Sequence, residues 1–267
     1  MPELPEMETY RQQLSRCIQG KTITGAEVTR PKTLNVEPEA FIRAVTGTRV
    51  LRLERRAKHL LFHLSSEQIL VLHLMLGGWM FYGTDAEKPD RTFQVTLHFN
   101  GEHLYFIGLR LGYLHLHSQA EVEDDLQKLG PEPFTLDFAQ FQQVLRSKRS
   151  NLKVALTEQS FLSGIGNCYS DEICFVAGLL PTRTLPSLSD EEQLRLFEAM
   201  GSVLREAIQY GGYMANPLFV GDGLTGGFDP KCRVYDREGE PCVRCSQPIV
   251  FTELSSRKCF YCANCQS

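Results

Sequence analysis

A chain of 267 residues, 42% hydrophobic and 22% charged, is long enough for two modest domains and a small appendage. No apolar run nears the roughly 20 residues that cross a bilayer, and the acidic start Met1-Pro-Glu-Leu-Pro-Glu lacks a signal core, so a cytoplasmic protein without membrane partners is expected. The net charge of −4 argues mildly against nucleic acid, yet phosphate binding needs only local positive charge. Arg52, Arg55, Arg56 and Lys58 form one basic cluster, and Arg146, Lys148, Arg149 and Lys153 a second.

In chain order, apolar residues at helical spacing predict a first helix over residues 6–19, ended by Gly20. Short β-rich runs follow at 22–28, 49–53, 59–64, 69–73, 94–99 and 103–106. One helix packed on a two-layer β-sandwich satisfies that pattern. Gly130, Pro131 and Pro133 then break any continuing element. Beyond them helices are expected at 138–145, 153–158, 169–177 and 189–210. The turn Ser163-Gly-Ile-Gly-Asn lies between the second and the third. A Gly-rich segment, 221–227, reads equally as a linker or as a functional loop. The expected class is α+β, with domains at 1–128, 129–230 and 231–267.

Nine cysteines are many for a reducing compartment, and five of them, Cys242, Cys245, Cys259, Cys262 and Cys265, lie in the last 26 residues. Cys242-x2-Cys245 and Cys262-x2-Cys265 each present two thiolates from a tight turn. Together they predict one structural Zn2+ in an all-sulfur site, stapling a β-hairpin that turns at Ser255-Ser256. Cys259 falls outside both pairs and is expected not to be a ligand. At the other end, a small second residue makes Met1-Pro2 a processing site. The exposed α-amine would have a pKa near 8, well below that of lysine.

Five segments together resemble the formamidopyrimidine-DNA glycosylase and endonuclease VIII family. They are Pro2-Glu-Leu-Pro-Glu-Met-Glu-Thr, Arg55-Arg-Ala-Lys-His-Leu-Leu, Glu158-Gln-Ser-Phe-Leu-Ser-Gly-Ile-Gly-Asn-Cys-Tyr-Ser-Asp-Glu, Tyr235-Asp-Arg-Glu-Gly-Glu-Pro-Cys, and the cysteine tail. Leu4-Pro5 is closer to the formamidopyrimidine branch. The resemblance implies an N-terminal β-sandwich with a flanking helix, a helix-two-turns-helix module and a β-hairpin zinc finger. It implies a monomeric base-excision-repair enzyme of a bacterial-type cytosol or nucleoid, acting on damaged double-stranded DNA. Such an enzyme is both glycosylase and abasic-site lyase, with mature Pro2 as nucleophile.

The same resemblance makes Glu3 the general acid/base beside the nucleophile and Glu6 an orienting group, and places Lys58 on a phosphate next to the lesion. Glutamates in a first helical turn otherwise serve only to compensate the helix dipole. His73, Lys153, Asn167 and Arg257 are expected on DNA phosphates, Asn167 at a Gly-rich helix start suited to an anion. An extruded base leaves a hole in the duplex that side chains must fill. The matching positions carry Leu76, Leu109 and Leu111, with Arg110 one step off. Three leucines can prop a kink without hydrogen-bonding cytosine, so weak dependence on the opposing base is expected. Other lesions as the best substrate, or a catalytically silent DNA-binding protein, remain alternatives, although Pro2, Glu3, Glu6 and Lys58 together speak against the silent binder.

Overall fold

An extended Glu3 and a proline in the first turn, where a missing N–H costs nothing, start helix α1 (Leu4–Ile18) two residues earlier than expected. Its buried face, Leu4, Met7, Tyr10, Leu14 and Ile18, recurs every three or four residues. The computed structural model describes residues 1–267. After α1 come β1 (Gly25–Val28), α2 (Pro38–Val45), β2 (Val50–Arg56), β3 (His59–Leu64), β4 (Ile69–His73) and β5 (Trp79–Gly83). Then follow β6 (Phe93–Phe99), β7 (Glu102–Ile107), β8 (Tyr113–His117) and α3 (Gln119–Leu126).

The strands form two antiparallel four-stranded sheets, ordered β1-β6-β7-β5 and β2-β3-β4-β8. Phe62, Leu70, Leu72 and Leu114 of one sheet share a core with Val95, Leu97, Phe106 and Met80 of the other, and with α1. The expected sandwich and its flanking helix are therefore present. Four elements were not expected: α2, β5, β8 and α3. α3 runs through acids expected only as surface charge, and Ser118 caps it by accepting from the Glu121 N–H.

Helices α4 (Phe138–Arg146), α5 (Leu152–Thr157), α6 (Asn167–Ala177) and α7 (Asp190–Gln209) fall within two residues of the expected spans. Asp137 and Asn151 cap α4 and α5, and Gly178, at φ 72°, ends α6. The terminal hairpin pairs β9 (Val250–Leu254) with β10 (Arg257–Tyr261). Ser255 and Ser256 form its turn, both at positive φ.

Two compact units result: Met1–Lys128 with Tyr210–Gly227, and Leu129–Gln209 with Phe228–Ser267. Residues 210–227, expected in the middle domain, thus pack in the first unit. The Tyr82 N–H donates to the Leu218 carbonyl (2.6 Å), and the Gln13 amide to Asp222 (2.8 Å). The hairpin shares the second unit with the helices.

Candidate functional site

Pro2 is buried at the head of α1, with Met1 attached and part-exposed. Glu3 and Glu6 are each 2% exposed. Glu6 accepts the Glu3 N–H on Oε2 (2.8 Å) and the Tyr213 N–H on Oε1 (2.8 Å). Backbone donors thus occupy both carboxylate oxygens, which makes Glu6 a clamp on the N-terminus. Gly212 permits this contact: it sits at φ 74°, and a Cβ there would stand 2.2 Å from Glu6 Oε1. The Tyr213 hydroxyl reaches the Met1 carbonyl (3.4 Å). Sequence reasoning missed Gly212 and Tyr213, although the Gly211-Gly212 pair was a visible signal for close backbone approach.

One turn along α1, Glu8 pairs with Arg11 (2.6 Å) and with Arg55 on β2 (3.1 Å). The Arg55 guanidinium also donates to the Ala57 carbonyl (3.2 Å). Ala57, at φ 54°, turns the chain between β2 and β3 and presents Lys58. Lys58 is buried rather than a solvated surface lysine. Burial lowers its pKa, against the opposing pull of the Glu3 and Glu6 charges. The four residues expected to carry the chemistry thus lie within one electrostatic neighbourhood.

His73, at the end of β4, stacks on Tyr113 (5.6 Å between centroids) and lies 4.4 Å from the His59 ring. Burial, with His59 and Lys58 adding to it, pushes its pKa down to about 3. It is therefore neutral at physiological pH and can offer a phosphate a hydrogen bond but no charge.

The loops after β4 and β7 lie against each other: a Cβ on Gly108 would meet the Gly77 carbonyl oxygen at 2.2 Å. Leu76 and Leu111 stand out from the two tips, 65% and 64% exposed. Leu109 departs from expectation. It is fully buried in the sandwich core, and its methyl would meet a Cβ on Gly78 or Gly112. It cannot fill a gap in DNA from there. Arg110, in the turn next to it, is exposed at the tip with Leu111.

The Gly-rich loop is tied internally rather than a slack linker. Asp222 accepts N–H groups of Leu218, Leu224 and Thr225, the Thr225 hydroxyl and the Gln13 amide.

In the second unit Asn167 opens α6 after an extended Gly166. Lys153 departs from expectation: it is wholly buried, its ammonium donating to Asp171 (2.7 Å) and to the Asn167 carbonyl (2.8 Å). A phosphate contact from Lys153 is thereby corrected. Arg257 is half-exposed beside the hairpin turn, where its guanidinium reaches the Ser255 carbonyl (3.0 Å).

The sulfurs of Cys242, Cys245, Cys262 and Cys265 all lie within 4.8 Å of one another, and they could hold a metal ion. The pairs Cys242–Cys265 (3.9 Å) and Cys245–Cys262 (3.5 Å) bracket the roughly 3.8 Å separation that tetrahedral thiolates at about 2.3 Å require. Arg244, between the first two, donates to the carbonyls of Phe175 and Val176 at the C-terminal end of α6. Cys259 is buried and stands outside this cluster.

Comparison with known proteins agrees along the whole chain. Residues 1–113 match the formamidopyrimidine-DNA glycosylase N-terminal domain, and residues 129–216 match the formamidopyrimidine-DNA glycosylase H2TH domain. The formamidopyrimidine-DNA glycosylase of Heliobacterium modesticaldum is 37% identical over the full length of both chains, and that of Carboxydothermus hydrogenoformans 34%. A crystal structure of Lactococcus lactis Fpg with DNA containing an abasic site superposes with a TM-score of 0.92, at 29% identity and 99% coverage of both chains. A mutant of the same protein bound to DNA containing Fapy-dG does so equally. Matched in both domains and from end to end, the chain belongs to the formamidopyrimidine-DNA glycosylase family.

Proposed function

We propose that this protein is a base-excision-repair DNA glycosylase and abasic-site lyase that acts as a monomer on oxidised or ring-opened bases in double-stranded DNA. The burial of Pro2 and Glu3 at the head of α1, beside a clamped Glu6 and a buried Lys58, is the observation that carries this. Relatives that bind Fapy-dG and abasic-site DNA support it.

Removal of Met1 frees the Pro2 nitrogen, which as an amide has no basic lone pair. The secondary amine bonds to C1′ of the extruded nucleotide as the C1′–base bond breaks, and the base leaves with a proton. Glu3 protonates the ring oxygen, the sugar opens, and an iminium forms at C1′. That cation acidifies C2′. Loss of a C2′ proton expels the 3′-phosphate, and a second elimination expels the 5′-phosphate. Lys58 holds a phosphate beside the lesion, and His73 supplies a neutral donor. Leu76 and Leu111 fill the gap, Arg110 beside them. Asn167 and Arg257 hold the backbone. The four cysteines would hold a Zn2+, which there would supply folding energy to the hairpin and no chemistry to the reaction.

The assignment is tested by incubating mature protein with abasic-site duplex and borohydride. A covalent adduct is expected, absent in chains retaining Met1. Bound DNA with no trapped adduct would instead identify a silent damaged-DNA binder.

A further inference from the structure

Two consecutive acids on α6, Asp171 and Glu172, are fully buried, and the proposed chemistry uses neither. Asp171 joins its helix to two other elements. Its Oδ1 accepts from the Lys153 ammonium on α5 (2.7 Å), and its Oδ2 accepts the Phe260 N–H of β10 (3.1 Å). Lys153 also donates to the Asn167 carbonyl in the first turn of α6 (2.8 Å). Glu172 accepts the N–H groups of Arg233, Val234 and Tyr235 (2.8–3.0 Å) in the chain leading to the hairpin. Burial pushes the Asp171 carboxyl up to about 7, while Lys153 draws it back. A buried ionic pair is seldom a net source of stability, and geometric specification is the better attested use of one.

We propose that Lys153 and Asp171 are a positioning pair that sets the α6 N-terminus and the β10 strand in one register, so that Asn167 and Arg257 grip DNA together. Arg257 lies three residues before Phe260 on the same strand, so the Phe260 N–H tether fixes the height at which its guanidinium stands. The inference rests on the DNA-grip roles of Asn167 and Arg257 proposed above. It differs from a phosphate-binding lysine in one respect: Lys153 acts only through its neighbours.

A double-mutant cycle separates the two. Affinity for duplex carrying a tetrahydrofuran abasic analogue is measured against salt for Lys153→Met, Arg257→Ala and the double variant, with zinc content and circular dichroism recorded. Lys153→Met should weaken binding tenfold or more and lower the log–log salt slope by about one, as expected for one lost phosphate contact. Arg257→Ala should do the same, and the double variant little more. Additive losses would show Lys153 touching phosphate itself and overturn the proposal, as would unchanged binding in a folded Lys153→Met. Lys153→Met/Asp171→Leu leaves no unpaired buried charge and serves where the single variant does not fold; wild-type affinity there would also overturn the proposal. If Arg257→Ala and Asn167→Ala leave affinity and slope untouched, it is the roles of the two grips that fail.

Discussion

A lysine ammonium only 4% exposed, beside two carboxylates, gains little from water and much from a phosphate brought to it. Lys58→Met should therefore lose one charge-assisted hydrogen bond, about 1.5–3 kcal/mol or roughly 10–100-fold in kcat/KM for base excision. Borohydride trapping on a preformed abasic site should persist, since Pro2 remains; single-turnover assays on both substrates check this. The loop after β7 gives a second contrast. Leu109→Ala opens a cavity in the core and should cost about 2–5 kcal/mol of stability, read from denaturant midpoints. Arg110→Ala should leave stability unchanged and abolish whatever opposing-base preference a panel of lesion duplexes reveals. A preference that survives in Arg110→Ala would place that readout elsewhere. From sequence Leu109 was expected outward and Arg110 one step off, because which residues of a turn face the core is settled only when its neighbours pack.

At the scale of elements, the strands of the hairpin bury only Cys259 and Phe260. Ile249 and Phe260 are buried, in a cluster that includes Cys242 and Cys262. Structural zinc contributes about 10–16 kcal/mol in isolated fingers. Cys245→Ser should drop the metal content from one ion per chain towards none and weaken DNA binding more than tenfold, as measured by elemental analysis and titration. Full binding by a metal-free chain would refute the staple. The hairpin and α4 to α7 were legible because their spacing, caps and cysteine pairs are local signals. α2 buries Phe41 and Val45, four residues apart behind a proline in its first turn, and could have been found. β5, Trp-Met-Phe-Tyr-Gly, escaped because it lacks alternation. In β8, Leu114 and Leu116 do alternate with Tyr113, His115 and His117, and that strand could have been found.

For the molecule as a whole, the outer face of the β2-β3-β4-β8 sheet sets a pH limit. His59 and His73 pair across β3 and β4, with pKa values held down to about 4 and about 3 by burial, against the ordinary 6.5. Between those values the unfolded chain takes up protons that the folded one refuses. Their contribution is therefore intact above about pH 6.5 and is lost as pH falls towards 4. His73→Phe should lose less stability than wild type between pH 7 and 4.5, measured by urea midpoints; parallel profiles would exclude the pair as the cause.

By itself the sequence determined the local and covalent matters. These are the order of helices and strands in the second unit, the two cysteine pairs, the prolyl terminus and the acids beside it, since each depends on residues near in the chain. Only tertiary structure decided which side chains water reaches. Packing turned Lys153 from a surface cation into a buried brace, sent Leu109 inward and Arg110 outward, and brought Gly212 against Glu6 across about 200 residues of chain. Burial is a property of what surrounds a residue, and most of those surroundings are distant in sequence.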